Sequence, residues 1–455
     1  MNRRNVVKTI LSSAAVSAQT PPARPNIIYI HSHDTGRYIE PYGYNLPTPN
    51  LRKFAEQGVL FRNAFDAAPT CSPSRASLLT GQCPHSNGML GLAHRGFKLN
   101  DNKHHILHTL RDGGGYRSTL IGVQHVSSQP ATIGYDEIVK TASTKAVHVA
   151  PAAVNWIKGA PKGPFFLDVG FQETHRVFPL PGPGDDPRFT IPPEPIPDTP
   201  QTRGDMAAFR TCVRMLDTAM GEIFKALDDA GLAANTLVIC TTDHGIAFPE
   251  MKCDLTHHGT GVMLMMRGPG GFNGGKINDA LVSHLDLFPT VCELLGIAAP
   301  ARLEGRSLMP LIRGTAQEIN DEIFAEVNYH AAYEPKRMVR TKKWSYIRNY
   351  DPRRRPVLPN CDDGPSKDLW LESGWGKRII PGEQLYDLTF DPGERRNLAM
   401  DPGAGPMLEQ MRKRLDAWMQ RTKDPLLAGP VKAPVGAMVN DPDGISPRDT
   451  PKAAN

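Results

Sequence analysis

Residues 71–81 read Cys-Ser-Pro-Ser-Arg-Ala-Ser-Leu-Leu-Thr-Gly, and this stretch predicts a helix that begins close to Cys71. Proline is well tolerated in the first turn of a helix, where its missing N–H costs nothing, so Pro73 predicts a helix start close to Cys71. Arg75 would then lie on the first turn. Backbone N–H groups and a guanidinium at that point favour an anionic ligand. The alternative interpretation is a small buried cysteine beside an ordinary helix cap.

Short apolar runs alternate with segments of helical periodicity, which predicts an α/β fold with helices on the faces of a sheet. The runs expected to be strands are 26–30, 118–123, 165–171 and 236–240. Helices are expected after Thr48 and Pro49, over 205–227, and over 405–421.

Titratable side chains follow each of these predicted strands. They are His31, His33 and Asp34, then His125, then Glu173 and His175, and finally Asp243 and His244. Ligands of open α/β sheets bind beyond the carboxyl ends of the strands. A single histidine after a strand is more often capped or solvated, but four strands that deliver such groups to one edge predict a functional site there.

Size and charge exclude several classes of protein. With 455 residues the chain is expected to form one large domain and a smaller one. The formal charge of +5 is mild, and the basic run 353–355 is interpreted as a solvated loop, so no nucleic acid partner is expected. No apolar run reaches the roughly 18 residues of a membrane span. Seven irregularly spaced cysteines fit neither a disulfide framework nor a zinc site.

The N-terminus has the pattern of an export signal. Arg3 and Arg4 precede a short apolar stretch that ends in small residues at 15–18, which is typical of a twin-arginine signal and predicts a periplasmic or secreted protein. A disordered tail is the alternative. The predicted organisation is therefore a signal or disordered segment over 1–22, a catalytic domain over 23–320, a C-terminal subdomain over 321–430 and a disordered tail over 431–455.

The 71–81 stretch resembles the C-x-P-S-R signature of type I sulfatases, in which the cysteine is oxidised to formylglycine and its hydrated aldehyde is the nucleophile. The resemblance covers most of residues 24–425 and is strongest to the heparan N-sulfatase branch. Further stretches that carry it are 59–65, 81–89, 87–92, 94–97, 164–166, 243–249, 385–388 and 391–394. It implies an alkaline-phosphatase-like fold, with a large mixed sheet, helices on both faces and a smaller C-terminal α+β domain.

The resemblance also implies a divalent metal, usually calcium. The family holds it with two adjacent aspartates after the first strand, an Asp-Asn pair after a later strand, and a formylglycine oxygen. This chain has His33 and Asp34, Asp243 and His244, and Cys71 at those places. Asp34, Asp243 and His244 are therefore expected to bind the metal, with His33 beside them. Because imidazoles suit calcium poorly, Mn²⁺ or another divalent cation stays open.

Four catalytic roles follow from the same resemblance. Arg75 would hold the nucleophile and a metal ligand, His125 would take a proton from the nucleophile, and Lys252 and His175 would contact the sulfate. The family's G-K-x-H segment appears here with Val123 in place of its lysine. The candidate substrate contacts are Asn328, His330, Glu334 and Arg337, for which a polar seam between domains is the alternative.

These features predict a sulfatase that acts on a sulfated glycan, most specifically on the N-sulfate of glucosamine in heparin or heparan-type fragments, after activation by a formylglycine-generating maturation enzyme. The alternatives are an O-sulfatase on other glycans or aryl sulfates, a phosphonate or phosphodiester hydrolase, and a non-catalytic glycan-binding protein that keeps Cys71 as a thiol. The intact Cys71, Arg75 and Asp34 argue against the last of these.

Overall fold

The central feature of the computed structural model, which describes residues 24–455, is an eight-stranded sheet of mixed direction. Its strands are β1 (Asn26–Ser32), β2 (Val59–Phe65), β3 (Arg117–Gly122), β4 (Glu137–Val139), β5 (Phe165–Gly170), β6 (Thr236–Thr242), β7 (Leu264–Arg267) and β8 (Lys276–Ser283). They lie in the order β4-β3-β5-β1-β6-β7-β2-β8. The four strands expected from the sequence are all present. The predicted export signal falls outside the described residues.

Helices cover both faces of this sheet. In chain order they are α1 (Pro49–Gln57), α2 (Cys71–Thr80), α3 (Pro84–Asn87), α4 (Ile106–Gly114), α5 (Ala146–Lys158), α6 (Pro200–Asp229), α7 (His257–Thr260), α8 (Leu287–Leu295) and α9 (Met309–Ile312). All seven residues of β1 are buried because alternate side chains enter two apolar clusters. Ile28 packs in the cluster that contains Phe209 of α6, and Ile27 packs in the one that contains Leu79 of α2.

A smaller antiparallel sheet forms the C-terminal part of the chain. It consists of β9 (Ile323–Tyr329), β10 (Tyr333–Arg340), β11 (Trp344–Asn349) and β12 (Glu383–Asp387). The same part of the chain contains two helices, α10 (Pro365–Glu372) and α11 (Gly405–Thr422). Leu415 and Trp418 of α11 pack with Val339 and Tyr346 of the sheet. The expected alkaline-phosphatase-like architecture, a large mixed sheet with a small C-terminal α+β domain, is confirmed.

The segment 431–455 is ordered, which corrects the expectation of a disordered tail. Two short strands within it, β13 (Met438–Val439) and β14 (Lys452–Ala453), pair with each other. The backbone N–H of Asn440 donates to the carbonyl of Ala331 at 2.8 Å, and the Tyr329 hydroxyl donates to the carbonyl of Val431 at 2.7 Å. These contacts fix the segment on the folded core.

The parallel strands bring their carboxyl ends to one edge of the large sheet. Ser32 at the end of β1 pairs with Thr242 at the end of β6, and Gly122 of β3 pairs with Gly170 of β5. The loops that follow these strands therefore meet, as the sequence predicted. Among the described residues, no helix is long and apolar enough to cross a membrane.

Candidate active site

Helix α2 places Cys71 at its first position, directly after the extended residue Thr70. All ten residues of the helix are buried, and Pro73 lies in the first turn as predicted. Burial raises the pKa of the Cys71 thiol well above its usual value. The thiol therefore stays protonated, and in that state it is a poor nucleophile.

Arg75 ties α2 to the loop after β6. Its guanidinium donates to Asp243 Oδ2 at 2.9 Å and to the Ser32 carbonyl at 3.0 Å, and it also contacts Nδ1 of His31. The Ser74 hydroxyl donates to the Asp243 carbonyl at 2.5 Å. The carboxylate and the carbonyl of Asp243 are thus both held by the 71–81 stretch, and Arg75 contacts this predicted metal ligand.

Behind Arg75 lies a buried hydrogen-bonded relay, in which His31, expected at the site, meets Asp168 and Tyr135, which sequence reasoning missed. His31 Nε2 lies 2.9 Å from Asp168 Oδ1, and the Tyr135 hydroxyl donates to Asp168 Oδ2 at 2.5 Å. Because His31 accepts from Arg75 through Nδ1, its proton must be on Nε2, where it meets the carboxylate. The relay fixes the orientation of the guanidinium.

Two carboxylates and two imidazoles surround Cys71. His244 Nε2 is 3.4 Å from Cys71 Sγ and 3.3 Å from Asp34 Oδ1. The ring nitrogens of His33 lie 3.5 Å from Asp34 Oδ1 and 3.5 Å from Asp243 Oδ2. One atom from each of His33, Asp34, Cys71 and Asp243 fits within 4.8 Å of the others. His33, expected beside the metal site, lies inside the same cluster.

The protonation pattern of this cluster suits a bound cation. His244 donates through Nδ1 to the Gly245 carbonyl at 2.9 Å, which leaves the lone pair of Nε2 facing the carboxylates. The buried Nδ1 of His33 has no hydrogen-bond partner among the described residues. Although burial alone would raise it, the pKa of Asp243 is held well below its usual range by His244 and Arg75. These donors fit a divalent metal, and the imidazoles favour a transition metal over calcium.

Backbone strain is concentrated at the same place. Asp34 and His125 both adopt the left-handed backbone region, with φ of 55° and 56°. Such conformations are costly for residues other than glycine and persist where the surroundings enforce them. For Asp34 the enforcing contact is a hydrogen bond from its own N–H to Asp243 Oδ1 at 2.8 Å.

Lys252 reaches the cluster from the loop before α7 and is held by two carboxylates. Its Nζ lies 2.9 Å from Asp34 Oδ2, 2.8 Å from Asp362 Oδ2 and 3.5 Å from His175 Nε2. Burial lowers the pKa of Lys252, but Asp34 and Asp362 more than offset this and raise it well above its usual value. Asp362 was not predicted, because it comes from a loop of the C-terminal part with no strand or motif before it.

Three histidines line the other side of the cluster. His175 donates through Nδ1 to the Arg176 carbonyl at 2.6 Å, and its ring packs on His33 with 4.7 Å between centroids. His125 lies nearly parallel to His94, with an interplanar angle of 11° and 2.9 Å between His125 Nε2 and His94 Nδ1. His94 was not predicted as a site residue, although it lies in one of the stretches quoted above.

The four candidate substrate contacts divide into two pairs. Arg337 is fully buried, and its guanidinium is occupied by Asp424 at 2.5 and 2.9 Å and by Asn328 at 3.0 Å. Arg337 and Asn328 therefore belong to a polar seam, which corrects their assignment as substrate contacts. The guanidinium of Arg337 and the amide oxygen of Asn328 already bind partners within the fold and are not free to contact a substrate.

The other pair lies closer to Lys252. Burial, and then the positive charge of Lys252, lowers the pKa of His330 well below its usual value. Glu334 accepts from Asn360 at 2.9 Å and borders a cavity of about 510 Å³ that Lys252 also lines. His330 and Glu334 thus stay candidates.

The ordered C-terminal tail contacts the neighbours of two site residues. Arg95, next to His94, donates to Asn440 Oδ1 at 2.5 Å and to the Pro447 carbonyl at 2.9 Å. The Ser446 hydroxyl donates at 2.5 Å to Asp363, which follows Asp362. The tail therefore braces the turn that carries His94 and the loop that carries Asp362.

Comparison with known proteins identifies the family. A model of the sulfatase family matches residues 25–297. The chain belongs to the sulfatase family. A model of the C-terminal part of N-sulphoglucosamine sulphohydrolases matches residues 255–366 of this sulfatase, a range that includes His330, Glu334 and Asp362. The expected family membership and enzymatic class are both confirmed.

Individual relatives cover nearly the whole chain. Human N-sulphoglucosamine sulphohydrolase is 31% identical, with 90% of this chain and 92% of that protein aligned. The Delta 4,5-hexuronate-2-O-sulfatase of Bacteroides thetaiotaomicron is 27% identical, with 91% and 92% aligned. A solved structure of a 2-O GAG sulfatase superposes with a TM-score of 0.71 at 24% identity, over 89% of this chain and 94% of that one. That superposition supports the fold.

Removal of the tail tests its contribution to this sulfatase. A chain that ends at residue 430 is expected to keep the large sheet but to lose about 10²-fold in kcat/KM, because small displacements of site groups have effects of that size. Activity is measured with and without a synthetic peptide of residues 431–455, and the peptide should restore part of it. Circular dichroism checks the fold. Full activity of the truncated chain without peptide would contradict a bracing role.

Proposed function

We propose that this sulfatase removes the sulfate from the nitrogen of glucosamine in heparin or heparan-type glycans. The observation that supports the proposal is the cluster of two proton donors and an acceptor, Lys252, His175 and Asp362, in which a ring nitrogen of His175 lies within 4.8 Å of Cys71 Sγ. The human relative, at 31% identity over nearly its whole length, is named for this reaction. The 2-O-sulfatase relative makes an O-sulfated glycan the second candidate.

The nucleophile is proposed to be formylglycine made from Cys71 by a maturation enzyme. When present, this group supplies a hydrated aldehyde with one hydroxyl to attack sulfur and a second to release the sulfate. A divalent cation, calcium or a transition metal such as Mn²⁺, would be held by Asp34, Asp243, His244 and His33 and would supply positive charge next to the sulfate oxygens. We also propose export through residues 1–22 to the periplasm or the exterior.

Positive groups around Cys71 suit the developing charge of the reaction. Lys252 is held on Asp34 and Arg75 on Asp243, so each of the two carboxylates carries one cation. Preorganised cations and donors of this kind stabilise a transition state because they need no rearrangement when charge develops. His125, supported by His94, is proposed to take the proton from the second hydroxyl of the hydrated aldehyde as the aldehyde re-forms and sulfate departs.

Departure of an amine requires a proton at nitrogen. As the S–N bond breaks, its electron pair stays on nitrogen, and an unprotonated amide anion is a very poor leaving group. Lys252 Nζ and His175 Nε2 lie 3.5 Å apart and are the proposed donors at that atom. An activated aryl sulfate has no such need, since a phenoxide leaves without a proton.

This difference defines the test of Lys252. Lys252→Gln is expected to reduce kcat/KM for N-sulfoglucosamine about 10²-fold more than for an activated aryl sulfate, because proton donation contributes effects of that size. Elemental analysis should show unchanged metal content. Equal losses on both substrates would mean that Lys252 only binds the sulfate.

A substrate panel separates the proposed function from its alternatives. Metal-loaded enzyme that contains formylglycine is assayed on N-sulfoglucosamine, glucosamine 6-O-sulfate, hexuronate 2-O-sulfate, an aryl sulfate and a phosphonate ester. Release of sulfate from N-sulfoglucosamine with the highest kcat/KM is expected. Preference for an O-sulfate or for the phosphonate would replace the proposal by that activity, and inertness on the whole panel would favour the glycan-binding alternative.

A further inference from the structure

Asp362 is a carboxylate brought into the active site from the C-terminal part of the chain. It precedes α10, in the loop that the tail residue Ser446 braces through Asp363. Its side chain is 13% exposed, whereas those of Asp34 and Lys252 are at most 1% exposed. Asp362 is thus the more accessible of the two carboxylates on the ammonium group.

One oxygen of this carboxylate is occupied and the other is not. Lys252 donates to Oδ2 at 2.8 Å and is the only hydrogen-bond donor to the Asp362 side chain within residues 24–455. Asp362 also offers an oxygen within 4.8 Å of the ring nitrogen of His175 and of a carboxylate oxygen of Asp34. Lys252 Nζ contacts all three of these side chains, and because no described residue donates to the second oxygen of Asp362, that oxygen can accept a hydrogen bond from a substrate.

Lys252 and Asp362 together present a donor and an acceptor side by side. The atom that links sulfur to the sugar differs between the two possible substrate classes. In an N-sulfate it is nitrogen with one hydrogen, which can donate to a carboxylate. In an O-sulfate it is an oxygen with lone pairs only, which a carboxylate repels. A site built to accept from an N–H discriminates strongly against the analogue that lacks it, because the buried acceptor is then left unpaired.

We infer that Asp362 is the specificity-determining residue that selects a sulfated nitrogen over a sulfated oxygen. It accepts a hydrogen bond from the bridging N–H while Lys252 holds the other carboxylate oxygen. After cleavage the free amine takes up a proton, and the carboxylate stabilises the resulting ammonium through a charge-assisted hydrogen bond. The inference rests on the proposed N-sulfatase function, and it assigns that preference to one side chain.

The kinetic test uses formylglycine-containing, metal-loaded enzyme and a matched pair of variants. Asp362→Asn keeps the shape, but Lys252 retains its carbonyl oxygen, so an amide NH₂ that cannot accept faces the bridging N–H, and the ratio of kcat/KM for N-sulfoglucosamine to that for glucosamine 6-O-sulfate is expected to fall about 10²-fold. Asp363→Asn, one residue along the same loop, is expected to leave the ratio unchanged. Asp362→Glu should restore part of it. An equal loss on both substrates would overturn the inference and reduce Asp362 to a partner of Lys252.

A binding measurement keeps this inference separate from the proposed function. Calorimetric titration of the Cys71→Ala variant with glucosamine and with N-acetylglucosamine compares an ammonium with a neutral amide. Asp362→Asn in that background is expected to weaken glucosamine binding at least about 10-fold and to weaken N-acetylglucosamine, whose N–H makes only a neutral hydrogen bond, by a smaller factor. Equal binding of glucosamine by both proteins overturns the inference. A third outcome separates the two proposals. If the wild-type enzyme does not cleave N-sulfoglucosamine but Asp362→Asn still weakens glucosamine binding, Asp362 remains an amine contact and only the proposed reaction is rejected.

Discussion

Replacement of Cys71 by alanine is expected to abolish turnover, with kcat reduced by at least about 10⁴-fold, as is usual when a covalent nucleophile is removed. The fold should persist, because the side chain is small and its buried thiol makes no hydrogen bond shorter than 3.4 Å. Mass spectrometry of the active wild-type protein should show that the peptide containing residue 71 has lost its thiol and gained an aldehyde that reacts with hydrazine.

A second cysteine provides the control. Cys292 is fully buried in α8 and lies among apolar side chains of the core. Cys292→Ala is expected to lose some stability, at most a few kcal/mol, and to keep kcat. A fully active enzyme that retains an unmodified thiol at Cys71 would remove this residue from the mechanism.

Loss of Asp243 is expected to remove metal and activity together. Its carboxylate accepts from Arg75 and from the backbone N–H groups of Asp34 and His244. Asp243→Ala would leave a buried guanidinium unpaired, a change that typically costs about 3–5 kcal/mol, so Asp243→Asn is the better variant because its carbonyl can still accept. Elemental analysis and kcat are measured on the same sample.

The same experiment distinguishes two views of His33. The sequence placed this residue beside the metal, whereas the structure places both ring nitrogens 3.5 Å from the carboxylates of the cluster. His33→Ala is therefore expected to weaken metal binding about 10- to 100-fold. Asp217→Asn, a buried aspartate that caps α1, serves as the matched control and should keep its metal. Full metal occupancy in Asp243→Asn would mean that the metal site lies elsewhere.

Sequence reasoning located those site residues that follow strands. Asp34, His125, His175 and Asp243 come after four strands of one sheet, and parallel strands end at one edge, so their meeting follows from topology. Cys71 and Arg75 were found through a local pattern whose helix begins where Pro73 indicated.

The site residues in the C-terminal part of the chain could not be predicted in this way. Asp362 follows a short irregular turn, and it reaches Lys252 only because the small domain packs on the large one. Arg337 and Asn328 were misassigned because a polar seam and a sugar site have the same composition, and only burial separates them. The tail was misjudged since its turns are stabilised by long-range contacts, such as that between Arg95 and Asn440.

The complete burial of α2 limits when the proposed modification of Cys71 can take place. A modifying enzyme must bind several residues on either side of its target. In the folded protein every residue from Cys71 to Thr80 is buried, so such an enzyme has no access to them. If Cys71 is oxidised as proposed, the oxidation must therefore precede folding, and the two processes would compete for each newly made chain. Molecules that fold first are trapped as stable, inactive protein. Equally pure preparations will then differ in specific activity according to the fraction of chains that were modified in time.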